Sequence, residues 1–353
     1  MTNAARRRFL ASAGAVIAAP LVARTARGQA QTQAQVTLRL HHFLPAVANA
    51  HARFLLPWSK KIEIASAGRM RINIFPSMQL GGTPAQLFDQ ASDGTADIVW
   101  TLPGNTPGRF PIVEVFELPF VASRRSIVNA KAVQDFADSD LKQEFRDVHP
   151  ICVWAHDHGL IHARKPITAQ EDLRGLKLRS PTRLAGEALR VLGANPIGMA
   201  VPQVPEALIL RAIDGCVVPW EVAPALRVPE LLKFHTDIPG SPTLYTATFI
   251  LAMNKPKYDA LPADLKEIID ANGGQAMAAM AGQMWDDQAA VALEAAKARG
   301  NTITTLTPDE TARWRKTTEP VIEAWLKQMK QRGLDGGKLL ANARALLAKY
   351  EQA

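Results

Sequence analysis

Residues 171–224 read EDLRGLKLRSPTRLAGEALRVLGANPIGMAVPQVPEALILRAIDGCVVPWEVAP. Leu176 and Leu178 alternate with Lys177 and Arg179, the pattern of a short strand buried on one face. Ser180-Pro181 reads as an N-cap followed by proline at the first helical position. The helix then runs from Thr182 to about residue 192 and stops at Gly193. Arg179 is therefore predicted where a strand hands over to a helix N-terminus, whose free N–H groups favour anions. A second unit follows, with a helix over 205–213, a turn at Asp214-Gly215 and a buried strand from Cys216 to Trp220. Ligands of open α/β sheets bind beyond the carboxyl ends of strands, so Arg179, Val218, Trp220 and Glu221 are expected on one rim. A planar guanidinium gives a carboxylate two parallel charge-assisted bonds, and an indole offers an apolar seat beside it. Each residue also has a plainer reading. Arg179 could pair with Asp172 or Glu187 at the surface, Trp220 could be core packing, and Glu221 could be a solvated charge or a partner for an arginine or histidine.

Outward from this stretch, strands and helices alternate. Val36, Leu38 and Leu40 alternate with polar residues as a first strand, with Phe43-Leu44-Pro45 as the loop at its end. An amphipathic helix follows from Asn49 to about residue 67, then a strand over 71–75, a helix from Pro84 and a third strand over 97–100. Trp100-Thr101-Leu102 closes that strand. A helical segment over 126–147 leads to a strand over 151–156, read as the first crossing between lobes. Residues 243–254 read as a strand crossing back. Residues 261–297 read as one alanine-rich helical region bent at Gly273-Gly274, and two helices close the chain. Alternation of this kind predicts an α/β fold with mainly parallel sheets flanked by helices. Several crossings predict two lobes with a hinge and a cleft. The expected division is 31–156 plus 245–284 for one lobe and 157–244 plus 285–353 for the other. Phe43 and Trp100 would face Arg179 and Trp220-Glu221 across the cleft floor.

The chain resembles the solute receptors of tripartite ATP-independent periplasmic (TRAP) transporters, first known for C4-dicarboxylates. The resemblance rests on Asp172-Leu173-Arg174-Gly175-Leu176-Lys177-Leu178-Arg179, on Leu192-Gly193-Ala194-Asn195-Pro196 with Met199, and on Ile213-Asp214-Gly215. It continues through Phe75-Pro76, Leu80-Gly81, Glu117-Leu118-Pro119-Phe120 and Met253-Asn254-Lys255, nearly the whole mature chain. It implies a two-lobed periplasmic-binding-protein fold. It also implies that Arg179 binds a substrate carboxylate and that a membrane permease receives the ligand. Many members carry a second arginine about twenty residues before the first. Here that place falls at His158 or Gly159, so His158 is expected to supply a hydrogen bond instead. Dicarboxylate and sialic-acid receptors continue the Asp-Gly strand with polar ligand contacts, where this chain has Cys216-Val217-Val218. Fewer polar anchors and more apolar wall point to a monocarboxylate with an apolar or aromatic body, such as a 2-oxo or 2-hydroxy acid. The same fold presenting its ligand to a periplasmic sensor, and an exported enzyme acting on carboxylates, remain as alternatives.

Residues 1–30 carry Arg6-Arg7-Arg8-Phe9-Leu10, an apolar run and Gly28-Gln29-Ala30, which read as a basic region, a hydrophobic region and a small-residue cleavage site near Ala30. Arg6-Arg7-x-Phe9-Leu10 fits the twin-arginine pattern, with an ordinary secretion signal as the alternative. A periplasmic protein, not itself membrane-spanning and monomeric, is the expectation. The formal charge of +8 includes five arginines in that segment, leaving about +3 on the mature chain. No basic stripe interleaved with aromatics is present, so nucleic acid is not expected as a partner. No elbow, P-loop, zincin or dinucleotide motif occurs, so neither catalysis nor a cofactor is expected. His156, Asp157, His158 and His162 could hold zinc. They fit better as polar residues at a strand end, with His156 and His158 on one face, and no metal is expected. Cys152 and Cys216 both sit in apolar runs and read as buried thiols, a disulfide being the alternative.

Overall fold

The computed structural model describes residues 34–352, so the export signal expected over 1–30 lies outside the described residues. Among the described residues the strands are β1 (Val36–His42), β2 (Met70–Phe75), β3 (Ile98–Thr101), β4 (Val148–Ala155), β5 (Leu160–Ala163), β6 (Lys177–Ser180), β7 (Asn195–Gly198), β8 (Gly215–Val218), β9 (Phe234–Asp237), β10 (Thr248–Asn254) and β11 (Thr302–Thr305). They form two sheets, ordered β2-β1-β3-β10-β4 and β11-β9-β5-β8-β6-β7. In the first sheet only β10 runs against its neighbours. In the second only β5 does. Two mainly parallel sheets flanked by helices make the two-lobed α/β architecture that the alternation predicts.

Burial follows from this layering. β1 alternates at its start, with Leu38 and Leu40 buried and Thr37 exposed, then is buried throughout from Leu40 to His42. β3, β8 and β10 are buried along their whole length, as expected for strands covered on both faces. The strands that sequence reasoning missed are β5, β7, β9 and β11. None carries a continuous apolar run, and β7 and β11 lie at a sheet edge, where pairing to a single neighbour suffices.

The chain crosses between the sheets through residues 156–159 and 238–247, and the helix Gly274–Ala298 then leads to β11. The strand read over 243–254 begins only at Thr248 and belongs wholly to the first sheet. The single helical region expected over 261–297 is two helices, Ala263–Ala271 and Gly274–Ala298. A Cβ on Gly273 would lie 2.6 Å from the Ile151 carbonyl oxygen, so the close approach to β4 fixes the break there. The last helix, Gly336–Glu351, returns to the first lobe. Its Asn342 donates to Asp140 at 2.7 Å and its Tyr350 to Asp135 at 2.6 Å, both on the helix Ser126–Asp140.

Candidate functional site

Arg179 lies on β6, paired in parallel with Ile197 of β7 and Cys216 of β8. Its neighbour Leu178 is fully buried. The following helix, Arg183–Val191, is capped by Thr182, whose hydroxyl accepts from the Ala185 N–H. The cap falls two residues beyond Ser180, because Ser180 is still paired in β6 with Gly198. Arg179 is therefore held by the strand and by backbone carbonyls, not by the helix terminus directly.

Arg179 is only 3% exposed. Its Nε donates to the Met199 carbonyl and its Nη1 to the Val217 carbonyl, both at 3.0 Å. Nη2 has no protein hydrogen bond, and no carboxylate stands within ion-pair distance, among the described residues. Neither Asp172 nor Glu187 holds it, since Asp172 accepts from Thr168 and Ala169 and Glu187 pairs with Arg190. Burial lowers the affinity of this guanidinium for its proton, yet arginine stays charged in proteins.

Arg179 opens onto a narrow cavity of about 40 Å³ between the two sheets. Phe43, Trp100, His156, Val218, Glu221, Tyr245, Phe249 and Trp285 share its wall. Topology explains the gathering. β1, β3, β4, β6 and β8 point their carboxyl ends at the cavity, and the reversed strand β10 brings its amino end, with Phe249 and the preceding Tyr245. Trp100 stacks on Phe43 at 4.8 Å between ring centroids and meets Trp285 edge-on at 6.3 Å. Phe249 lies 5.4 Å from Trp100 and 5.6 Å from Trp285. An aromatic cage thus faces one cation.

Burial favours the neutral form of the other titratable wall groups. Burial pulls His156 down to about 3. Its Nδ1 lies 2.6 Å from the Asp157 carbonyl and therefore carries the proton, while Nε2 accepts the Ala247 N–H at 2.9 Å. The Tyr245 hydroxyl is 3.1 Å from the same Nε2. Burial pushes Glu221 up to about 8, against the opposing pull of the Ala50 N–H and the Asn49 amide. Arg179 is then the uncompensated charge of the cavity, and an isolated buried charge is strongly unfavourable without a counterion.

A larger hollow of about 840 Å³ adjoins the cavity and shares Phe43 and Pro181 with it. Its charges are already matched, Arg183 with Glu114 and Arg190 with Glu187. This hollow is the open mouth of the cleft, and the buried unpaired cation lies beneath it.

Arg179, Glu221, Phe43, Trp100 and Val218 are thus brought together, whereas Trp220 and His158 are not. Trp220 packs against His162 and His235 with ring centroids 5.1 and 4.9 Å away, and those two histidines face each other through their Nδ1 atoms at 2.6 Å. His158 stands 3.3 Å from Asp237 and 3.5 Å from Asp157. Both Trp220 and His158 line a separate hollow with Arg124 and Asp286. His156 and His158 were expected on one face, but β4 ends at Ala155 and strand alternation lapses before them. Among the described residues no group of three or more histidine, cysteine or acidic side chains is placed to hold a metal ion. Cys152 and Cys216 are both buried and free.

Tyr245, His156, Phe249 and Trp285 escaped sequence reasoning. One local signal bears on Tyr245. A Cβ on Gly159 would stand 2.1 Å from two atoms of the Tyr245 ring. Gly159, one of the two positions where the resemblance would place a second arginine, leaves the room that this ring fills.

The fold and the lone buried guanidinium are those of a receptor for a small anionic solute, the class to which the comparisons assign it. Residues 40–328 match the family described as bacterial extracellular solute-binding protein, family 7, and the chain belongs to that family. It is a family of solute receptors, of the TRAP type. A TRAP solute-binding protein from Rhodoferax ferrireducens T118, solved with copurified benzoate, is 42% identical with a TM-score of 0.87, over 90% of this chain and 98% of that one. A marine metagenome receptor described as specific for aromatic acid ligands, solved with 3-hydroxybenzoate, is 43% identical with a TM-score of 0.88, over 90% and 99%. A Bordetella bronchiseptica TRAP periplasmic receptor with bound mandelate is 27% identical with a TM-score of 0.82, over 89% and 99%.

Proposed function

We propose that this receptor binds an aromatic monocarboxylate at the inner cavity, which must widen into the adjoining hollow to admit a ring, and delivers it to a membrane permease. The carrying observation is the single buried guanidinium of Arg179, without an anionic partner, facing Phe43, Trp100, Phe249 and Trp285. Arg179 would take the carboxylate through its free nitrogen, and the Tyr245 hydroxyl, turning its single proton from His156 Nε2 to the ligand, would be the second donor in place of the missing arginine. The rings would hold the apolar body, since aromatic pairs prefer stacked or edge-on packing at the separations seen among these side chains. Val218 would complete the apolar wall. A single cation beside neutral His156 and neutral Glu221 favours one carboxylate over two. The similar receptors solved with benzoate, 3-hydroxybenzoate and mandelate support this ligand class.

Closure would bring residues 31–156 plus 245–284 against 157–244 plus 285–353, with the last helix bridging back to the first lobe. Ligand affinity is then the differential contact energy of the closed state. In this reading the segment over 1–30 exports the chain by the twin-arginine route to the periplasm. Mass spectrometry of small molecules released from denatured, freshly purified protein tests the ligand class. An aromatic monocarboxylate in stoichiometric amount is expected. A dicarboxylate or a sugar acid in its place would overturn the proposal.

A further inference from the structure

Glu221 is the polar wall group that the carboxylate reading leaves without a task. It is 2% exposed and lines the same cavity as Arg179. Its Oε1 has no hydrogen-bond partner, and neither have the indole nitrogens of Trp100 and Trp285, which share that wall. Buried polar atoms in folded proteins are almost always bonded, so each exception calls for an explanation. A benzene ring carrying only a carboxylate would leave all three unmatched.

We infer that Glu221 is a specificity residue that accepts a hydroxyl on the body of the ligand, so that the preferred ligands are hydroxylated aromatic acids. This rests on the aromatic monocarboxylate reading and narrows it. A hydroxyl donates one hydrogen bond and accepts others. Glu221 Oε1 supplies the acceptor, and an indole N–H of Trp100 or Trp285 supplies the donor. Burial pushes the carboxyl up to about 8, which favours its neutral form beside a bound carboxylate. A neutral carboxyl also explains why an acidic residue is tolerated in a cavity that must accept a carboxylate. A site built to bond a hydroxyl rejects the analogue lacking it, because its own buried groups then stay unpaired.

The test uses the mature protein, isothermal calorimetry at pH 7, and benzoate, 3-hydroxybenzoate and 4-hydroxybenzoate as probes. The wild type should bind one of the hydroxybenzoates at least tenfold more tightly than benzoate. Glu221→Leu should reduce that ratio to near one, and Glu221→Gln, which keeps a neutral acceptor and donor, should preserve most of it. Thermal melting confirms that both variants are folded, and if Glu221→Leu is not, Glu221→Ala is read in its place. An unchanged hydroxybenzoate-to-benzoate ratio in the apolar variant overturns the assignment to Glu221 while leaving the aromatic reading intact. A wild type that binds none of the three probes defeats the aromatic reading and this inference together.

Discussion

Asn49 and Glu221 meet across the cleft, where the Asn49 side-chain amide donates to the Glu221 backbone carbonyl at 3.1 Å. Asn49 ends the loop after β1 of the first sheet, and Glu221 follows β8 of the second. Arg183 and Glu114 make a second link, with Nε–Oε1 at 3.3 Å and the carboxylate largely buried. Neither link is made by the cavity's cation, and the first is made by a residue of the cavity wall.

Asn49→Ala should shift the receptor towards its open state. The bond is of the ordinary neutral kind, about 0.5–1.5 kcal/mol, so affinity should fall by up to about tenfold, mostly through faster release. Stopped-flow release rates and small-angle scattering of the ligand-free protein check this. An unchanged rate and an unchanged radius of gyration would show that the contact does not bias closure.

Arg179→Ala removes the cavity's cation and should weaken binding of any carboxylate by about 2–5 kcal/mol. Arg179→Lys should recover only part of this, because an ammonium cannot reach both backbone carbonyls and the ligand with a planar fork. Calorimetry on folded variants measures both. Wild-type affinity in Arg179→Ala would place the carboxylate elsewhere.

Gly159→Ala forces a Cβ to 2.1 Å from the Tyr245 ring, so the ring must leave its place. Binding should drop at least as far as in Tyr245→Phe, which loses only the hydroxyl, worth about 1.5–3 kcal/mol when bonded to a charged group. If Tyr245→Phe binds like the wild type, the hydroxyl is not the second donor.

Trp220 and Trp100 should separate stability from binding. Trp220→Phe disturbs a ring packed on His162 and His235 and should destabilise the fold by about 1–3 kcal/mol with ligand affinity nearly unchanged. Trp100→Leu removes a cavity wall and should lower affinity for aromatic acids more than for small aliphatic ones. Paired melting curves and titrations decide, and a large affinity loss in Trp220→Phe would return that residue to the site.

Glu117 offers a pH test away from the site. It accepts from the Thr248 N–H at 3.1 Å and from the Thr248 hydroxyl at 2.8 Å, and burial still pushes it up to about 7. The folded state therefore holds a proton that the unfolded chain releases near 4.5. This contribution is fully present below about pH 4.5 and is lost as pH rises towards 7. The buried His42, His156 and His162, drawn down to about 3 by burial, act oppositely between pH 3 and 6.5. The difference between wild type and Glu117→Gln cancels them. Relative to wild type, Glu117→Gln should gain about 1–3 kcal/mol of stability between pH 4.5 and 7. Denaturant unfolding at pH 5, 6 and 7 reads it, and a flat difference would mean that Glu117 is ionised in the folded state.

Strand periodicity around Leu176–Arg179 and the apolar run at 216–218 placed β6 and β8 correctly, since burial on a sheet leaves a local pattern. β5, β9 and β11 were not legible, because Leu160–Ala163, Phe234–Asp237 and Thr302–Thr305 become strands only through neighbours distant in sequence. The site divides in the same way. Arg179, Val218 and Glu221 follow from strand ends, whereas Tyr245 and Trp285 come from a crossing segment and a long helix with no local mark of function.

The adjacent pair Trp220 and Glu221 shows where the boundary falls. The sequence by itself determined that both leave the end of a buried strand beside an arginine. β8 ends at Val218 and both residues lie in the turn beyond it, so strand alternation no longer fixes which of them faces the cavity that Val218 lines. Which one does so depends on the course of that turn. Tertiary structure decided that Glu221 lines the aromatic cavity and Trp220 packs onto the histidine pair, because the path of a turn past the end of a strand is set by the segments packed against it and not by a local pattern.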